Sequence, residues 1–265
     1  MTNAQKLIKL GAQAFAIFLT FTIISAIISG FYGIGMALNN KNKENDPKDL
    51  EIISCENYND NLNEVIINTM YSDLEIKKAD SFKIESNNTL KCRANNGTIK
   101  IEDKNKWKKN KIIVYLPEVA KVKIDSGAGS LNIEEINTDN IKLSLGAGLT
   151  TIENIVATTA KIDTGAGKLV VENGVFGELD FDMGVGSAEL TTNITNEADI
   201  DAGVGSLKLN LIGSKMEYML RISKGIGSIV VDGDTIKSDE AMGNGGKDIK
   251  IDGGVGTIKV DFTEK

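Results

Sequence analysis

The chain has 265 residues, a formal net charge of −7 at pH 7, 27 glycines, 5% aromatic residues, two cysteines and no histidine. An acidic chain of this kind lacks the basic face that nucleic-acid binding requires. With no histidine and few rings to stack on sugar, the carboxylate chemistry of polysaccharide-active enzymes finds little support either.

In chain order, residues 1–11 form a short basic tail carrying Lys6 and Lys9. The next stretch is apolar: between Lys9 and Lys41 lie 31 residues without a charge. About 20 apolar residues span a bilayer, so residues 12–38 are expected to form a transmembrane helix that partners the lipid bilayer. Gly35-Met36-Ala37 resembles a signal-peptide cleavage site, but the apolar run exceeds the usual signal core of about 7–15 residues. Lys6 and Lys9 precede the segment and Lys41, Lys43 and Lys48 follow it, so charge counting is nearly balanced. A first apolar segment behind a short basic tail favours a cytoplasmic N-terminus and an extracytoplasmic C-terminal domain at the cell membrane. Residues 39–50 read as a polar linker.

Residues 51–120 alternate apolar and polar positions at Ile53/Cys55, Val65/Ile67, Leu74/Ile76, Phe82/Ile84, Leu90/Cys92, Ile99/Ile101 and Ile112 to Leu116, with a turn at Asn95-Asn96-Gly97. The run through Tyr71-Ser72-Asp73 has the spacing of a repeat coil with its glycines replaced. This part is expected to cap the repeats that follow. Cys55 and Cys92 both lie on alternating runs, which favours buried free thiols. A single disulfide stays open as the alternative, worth about 3–4 kcal/mol for a loop of this size.

From residue 121 to 265 a Gly-x-Gly unit recurs seven times: Gly127/Gly129, Gly146/Gly148, Gly165/Gly167, Gly184/Gly186, Gly203/Gly205, Gly225/Gly227 and Gly254/Gly256. The first four steps are 19 residues, the last two 22 and 29. Before the first glycine run two apolar columns. One holds Val122, Ile141, Ala160, Leu179, Ala198, Leu220 and Ile249; the other holds Ile124, Leu143, Ile162, Phe181, Ile200, Ile222 and Ile251. After it run two more, from Leu131 to Ile258 and from Ile133 to Val260, in the opposite phase. Period-2 alternation that changes phase across glycine describes two strands joined at a corner, with Ala128, Ala147, Ala166, Val185, Val204, Ile226 and Val255 expected to fill it from inside. Helical periodicity is absent, and two glycines per unit would cost a helix about 2 kcal/mol. The fold expected is therefore all-β, a parallel β-solenoid of about 19 residues per coil.

The run Ile113-Val114-Tyr115-Leu116-Pro117, followed by Val122-Lys123-Ile124-Asp125-Ser126-Gly127-Ala128-Gly129-Ser130-Leu131-Asn132-Ile133, resembles a bacterial family of β-strand-repeat proteins known as putative adhesins and grouped under the toastrack name. The resemblance covers about residues 60–260. It implies a membrane-associated β-solenoid linked to envelope or cell-wall stress signalling, and it carries no catalytic residues over.

Two residues before each first glycine stand Asp125, Ser144, Asp163, Asp182, Asp201, Ser223 and Asp252. Stacked, Asp163, Asp182 and Asp201 form the one ladder that could draw a cation. Carboxylates on a smooth sheet fall short of the six to eight oxygens that Ca²⁺ takes, so a solvated face balanced by lysines is expected and no metal or cofactor is assigned. A second acidic column holds Glu134, Glu153 and Glu172. Trp107 sits in a basic cluster (Lys104, Lys106, Lys108, Lys109, Lys111) that reads as a solvated loop. The function expected is a non-catalytic binding or regulatory scaffold at the bacterial envelope, with an envelope protein or wall polymer as partner. The alternatives are a self-assembling filament on the cytoplasmic face, resembling the bactofilins, and a polysaccharide-active enzyme.

Overall fold

Alternating apolar positions bury one face of each strand, and here the buried faces stack level on level. In the computed structural model, which describes residues 49–58, 61–103, 108–223, 225–237 and 240–264, every residue of the four repeat columns is buried. The segment 12–38, the tail 1–11, most of the linker, Lys104, Lys106 and Trp107 lie outside the described residues. Among the described residues no helix is long and apolar enough to cross a membrane.

The strands are β1 (Glu51–Ile52), β2 (Glu64–Lys78), β3 (Lys83–Ser86), β4 (Lys91–Asn95), β5 (Thr98–Asp103), β6 (Asn110–Leu116), β7 (Lys121–Ile212), β8 (Tyr218–Ser223), β9 (Ile226–Val231), β10 (Asp234–Ile236), β11 (Glu240–Met242) and β12 (Lys247–Thr263). They form one 12-stranded sheet, and the long β7 winds through five of the glycine corners. Its coils lie on one another, Gly146 against Gly127 and Gly165 against Gly146. The architecture is all-β and solenoid in kind.

Residues 51–120 do more than cap. Val65, Ile67, Leu74 and Ile76 of β2 pair in parallel with Val122, Ile124, Leu131 and Ile133. On the other side they pair with Ile99, Ile101, Ile112 and Val114 of β5 and β6. The apolar columns thus extend two levels beyond the glycine repeats, and all eight of these residues are buried. At about 4.8 Å per level, nine levels rise about 38 Å.

Chain order and spatial order differ at both ends. The first coil in the chain, β2, lies inside β5 and β6. At the other end β12 pairs in parallel with β7 (Ile251↔Ile200) and with β8 (Ile251↔Ile222), so the last coil slips between two earlier ones. Asp261 and Glu264 therefore do not charge the outer edge, as the sequence order suggests. Antiparallel strands lie there instead: β10 on β9 and β11 on β8 at one end, β3 on β6 and β4 on β5 at the other. Short antiparallel strands end the parallel ladder without offering a long open edge.

The cysteines are joined. Cys55 and Cys92 form a disulfide with a Cα–Cα separation of 4.6 Å, which corrects the expectation of free thiols. Glu56 lies beside Arg93 in a parallel bridge, with the Glu56 amide donating to the Cys92 carbonyl at 3.1 Å. That local pairing brings the sulfurs together, and alternation alone carries no sign of it.

The glycines differ from one another in what they permit. Gly246 has open space where a Cβ would go, whereas a Cβ on Gly186, at φ +142°, would overlap the Gly167 carbonyl. Gly186→Ala is expected to lose about 3 kcal/mol or more in denaturant unfolding, from strain plus overpacking, while Gly246→Ala stays within about 0.5 kcal/mol. Equal losses would show that the corner tolerates a side chain.

Candidate functional site

The two glycines of each pair serve different ends. The first keeps ordinary φ but has no room for a Cβ: one added to Gly165 would meet the Gly146 carbonyl oxygen at 2.5 Å. The second has positive φ in all seven units, as at Gly129 (φ +122°). L-residues with a side chain rarely adopt that conformation. A Val substitution at Gly165 or Gly184 would thus fail by collision with the coil below and not by φ > 0 strain.

Between the glycines the chain reverses which side faces in. Residues just before the pair still point inward, with Met183 and Ala202 buried, and the column from Leu131 to Ile258 is inward again. None of the residues between the glycines is buried: Ala147, Ile226 and Val255 are exposed, and Ala128, Ala166, Val185 and Val204 are half-buried. Val255 is 43% exposed and Ile226 74%. This corrects the expectation that these side chains fill the corner from inside. Their spatial order is Tyr71, Ala128, Ala147, Ala166, Val185, Val204, Val255 and Ile226, by the register of β2 on β7 and of β12 on β7 and β9. The result is an outward apolar ridge along one corner of the stack, broadening from alanine to valine to isoleucine.

Two shallow grooves follow this ridge. One is lined by Leu145, Ala147, Leu149, Ala166 and Val185, the other by Ala202, Leu207, Ile226 and Val255. Leu149 adds another exposed apolar side chain, at 46%. Glycines floor both grooves and leave backbone within reach. At the N-terminal end, β2 pairing runs to Thr69↔Asp103 and resumes at Ser72↔Asn110. By register with β7, Met70 stands at the first glycine position and Ser72 at the second, with Tyr71 opposite Ala128.

Beside the ridge lies an ionic face. Lys161 reaches Asp180 at 2.5 Å, Asp182 at 3.5 Å and Asp163 at 3.7 Å, and the Asp180 hydrogen bond is the main cause that raises its pKa. Lys250 holds Asp252 at 2.6 Å and Asp199 at 3.3 Å. Exposed pairs of this kind contribute little singly. The ladder Asp163, Asp182, Asp201 is brought into one column, but Lys161 engages its first two members. Among the described residues no cluster of Cys, Asp or Glu is placed to hold a metal ion.

Asp201 is the exception in that column. It forms no ion pair within 4 Å among the described residues, and although the residue is exposed, partial desolvation by its neighbours, then Asp182, Asp199 and Asp252, push its carboxyl pKa up. Beside the second acidic column, the Asn154 and Asn173 side-chain amides donate to the backbone carbonyls of Glu134 and Glu153 at 3.2 and 3.1 Å. The sequence reading missed this asparagine ladder, although Asn154 and Asn173, directly after Glu153 and Glu172, repeat at the same 19-residue interval.

A folded-state pKa above the unfolded value means that the native protein binds the proton first. This group's contribution therefore favours folding at low pH and is lost as pH rises through the folded pKa. Asp201→Asn is expected to raise the thermal midpoint by about 1–3 °C at pH 7, since it removes like-charge neighbours. The gain should fade as the pH falls toward the unfolded value of 3.8. A midpoint difference that is the same at both pH values would refute the assignment.

No curated protein matches the sequence. Among solved structures, a putative adhesin from Bacteroides fragilis NCTC 9343 is 14% identical, with 80% of this chain and 96% of that chain covered and a TM-score of 0.47. A putative cell adhesion protein from Clostridium sporogenes ATCC 15579 is 15% identical, covering 81% and 99%, with a TM-score of 0.37. A putative lipid binding protein from Parabacteroides distasonis ATCC 8503 is 15% identical, covering 80% and 96%, with a TM-score of 0.39. At these identities and scores they bear on neither ligand nor partner. The family match is of a different order: residues 62–241 match Toastrack DUF4097, and the chain belongs to that family.

Proposed function

We propose that this chain is a membrane-tethered, extracytoplasmic, non-catalytic binding scaffold, and that its contact surface is the glycine-paired corner. The observation that carries the reading is the outward apolar ridge ending in Val255 and Ile226. Neither side chain contributes to the core, and a β-structure facing only water gains from polar residues at such positions. Contiguous exposed apolar surface marks an interaction site. The partner proposed is an envelope protein or wall polymer that lies along the coils, each of about 19 residues, and meets bare glycine backbone between aliphatic side chains.

Two observations support the location. The uncharged run around residues 12–38 is long enough to anchor the chain. The Cys55–Cys92 disulfide suits an oxidising compartment. The filament reading is weaker, because antiparallel strands close both ends of the stack against end-to-end addition.

In the full chain, Ile226→Ser combined with Val255→Ser is expected to leave the thermal midpoint within about 2 °C, as both positions are exposed and no charge is added. The same variant should reduce co-sedimentation with purified cell-envelope material at least tenfold, whereas retained binding would remove the ridge from the account. For orientation, a tag after Lys265 should be digested by external protease in wall-stripped cells while a tag before Met1 is protected. The reverse pattern would place the domain in the cytoplasm.

A further inference from the structure

The segment from Glu51 to Tyr58 is a strap laid across the N-terminal end of the stack. It pairs antiparallel with β3 for two residues, Glu51↔Ser86 and Ile52↔Glu85, and the Ile53 amide donates to the Ile84 carbonyl at 2.9 Å. It then turns to β4, where Glu56 exchanges backbone hydrogen bonds with Cys92 and Ala94 at 3.1 and 2.8 Å. Ile53, Cys55 and Tyr58 pack on the core, Tyr58 against the Phe82 ring at 5.5 Å. The Glu56–Arg93 ion pair is 3.0 Å long but lies in solvent. A two-residue strand and one bridge hold weakly by themselves, and ends with few buried contacts open locally without global unfolding.

The rest of the disulfide loop does not depend on the strap. β2, which lies inside that loop, is paired along one side to β7 and along the other to β5 and β6. β3 and β4 are likewise held from their inner sides by β6 and β5. Only the outer edges of β3 and β4 are covered by the strap.

We infer that the Cys55–Cys92 disulfide is a reducible latch that holds the strap closed, so that its reduction lengthens the tether and uncovers the outer edges of β3 and β4. The inference goes beyond the scaffold reading; the lengthened tether rests on the proposed membrane anchor, whereas the uncovered edges do not. Cys55 is half-buried while Cys92 is buried, so a reductant reaches the Cys55 sulfur. A dithiol reductant attacks there as the thiolate, the bond between the two protein sulfurs breaks, and Cys92 leaves as a thiolate that takes up a proton. The second thiol of the reductant then displaces Cys55, giving two protein thiols and a cyclic disulfide of the reductant, a two-electron, two-proton exchange. The eight freed residues add at most about 26 Å of chain between anchor and stack. The uncovered edges present unpaired backbone groups, which accept an added strand.

The test is hydrogen–deuterium exchange on the full chain in detergent, with and without dithiothreitol, and on Cys55→Ser/Cys92→Ser. Reduction should accelerate exchange at least tenfold in 51–56, 83–86 and 91–95 and leave 121–212 within twofold, with the double variant matching the reduced wild type. Unchanged exchange in 51–56 would mean that the strap stays closed without the bond and would overturn the latch. Acceleration throughout 121–212 would make the bond a staple of the whole fold and would overturn it equally.

Discussion

The rest of this structure depends on a steric constraint at one corner, where the backbone of each coil lies against glycine in the next. A parallel stack brings neighbouring chains to about 4.8 Å. Along regular strands side chains point away from that approach, but at the corner the chain turns and a Cβ would be driven into the adjacent carbonyl. At Gly148, Gly167 and Gly186 the second-glycine backbone conformation and the collision with the coil beneath coincide. Each glycine therefore makes room for its neighbour's carbonyl, and the columns of isoleucine, leucine and valine on either side fall into register because the corners do.

The same constraint produces the surface to which we assign function. Turning the chain over between two glycines sends the intervening residue outward, whatever its polarity. Serine or threonine would serve the corner as well as valine. That valine and isoleucine occupy the last levels in space, beside grooves lined by Leu207 and Ala202, is therefore not explained by the core. The neighbouring ionic face answers a different need, since Lys161 and Lys250 interleave with aspartates that would otherwise repel one another along the ladder. Asp201 is where that compensation lapses.

Much of the fold is legible in the chain because burial has a period: the four apolar columns, and the β2 levels that lack glycine, follow from counting alone. The direction of the corner residue does not follow, because alternation gives the two phases but not the residue at which they exchange. Ala128 and Val185 fit either side of the sheet by size. The interposed last coil does not follow from spacing, because glycine steps give the order of coils along the chain and not their order in the stack, where β12 lies between β7 and β8. Core compensation was also beyond counting: Gly174 occupies a position held by Ile136 and Ile155 in earlier coils, and the buried Phe176 fills the space it leaves. The disulfide rests on a pairing between Glu56 and Arg93 that no periodicity encodes.

Glycine-corner register, rather than chain order, decides which coils touch. This is tested most directly by oxidative cross-linking of cysteines introduced in pairs at Ser206, Thr257 and Ser228, the same exposed position of three coils. Thr257 lies in register with both Ser206 and Ser228. Cross-links are expected for the 206–257 and 257–228 pairs and none for 206–228. A 206–228 cross-link would put those two coils side by side and contradict this.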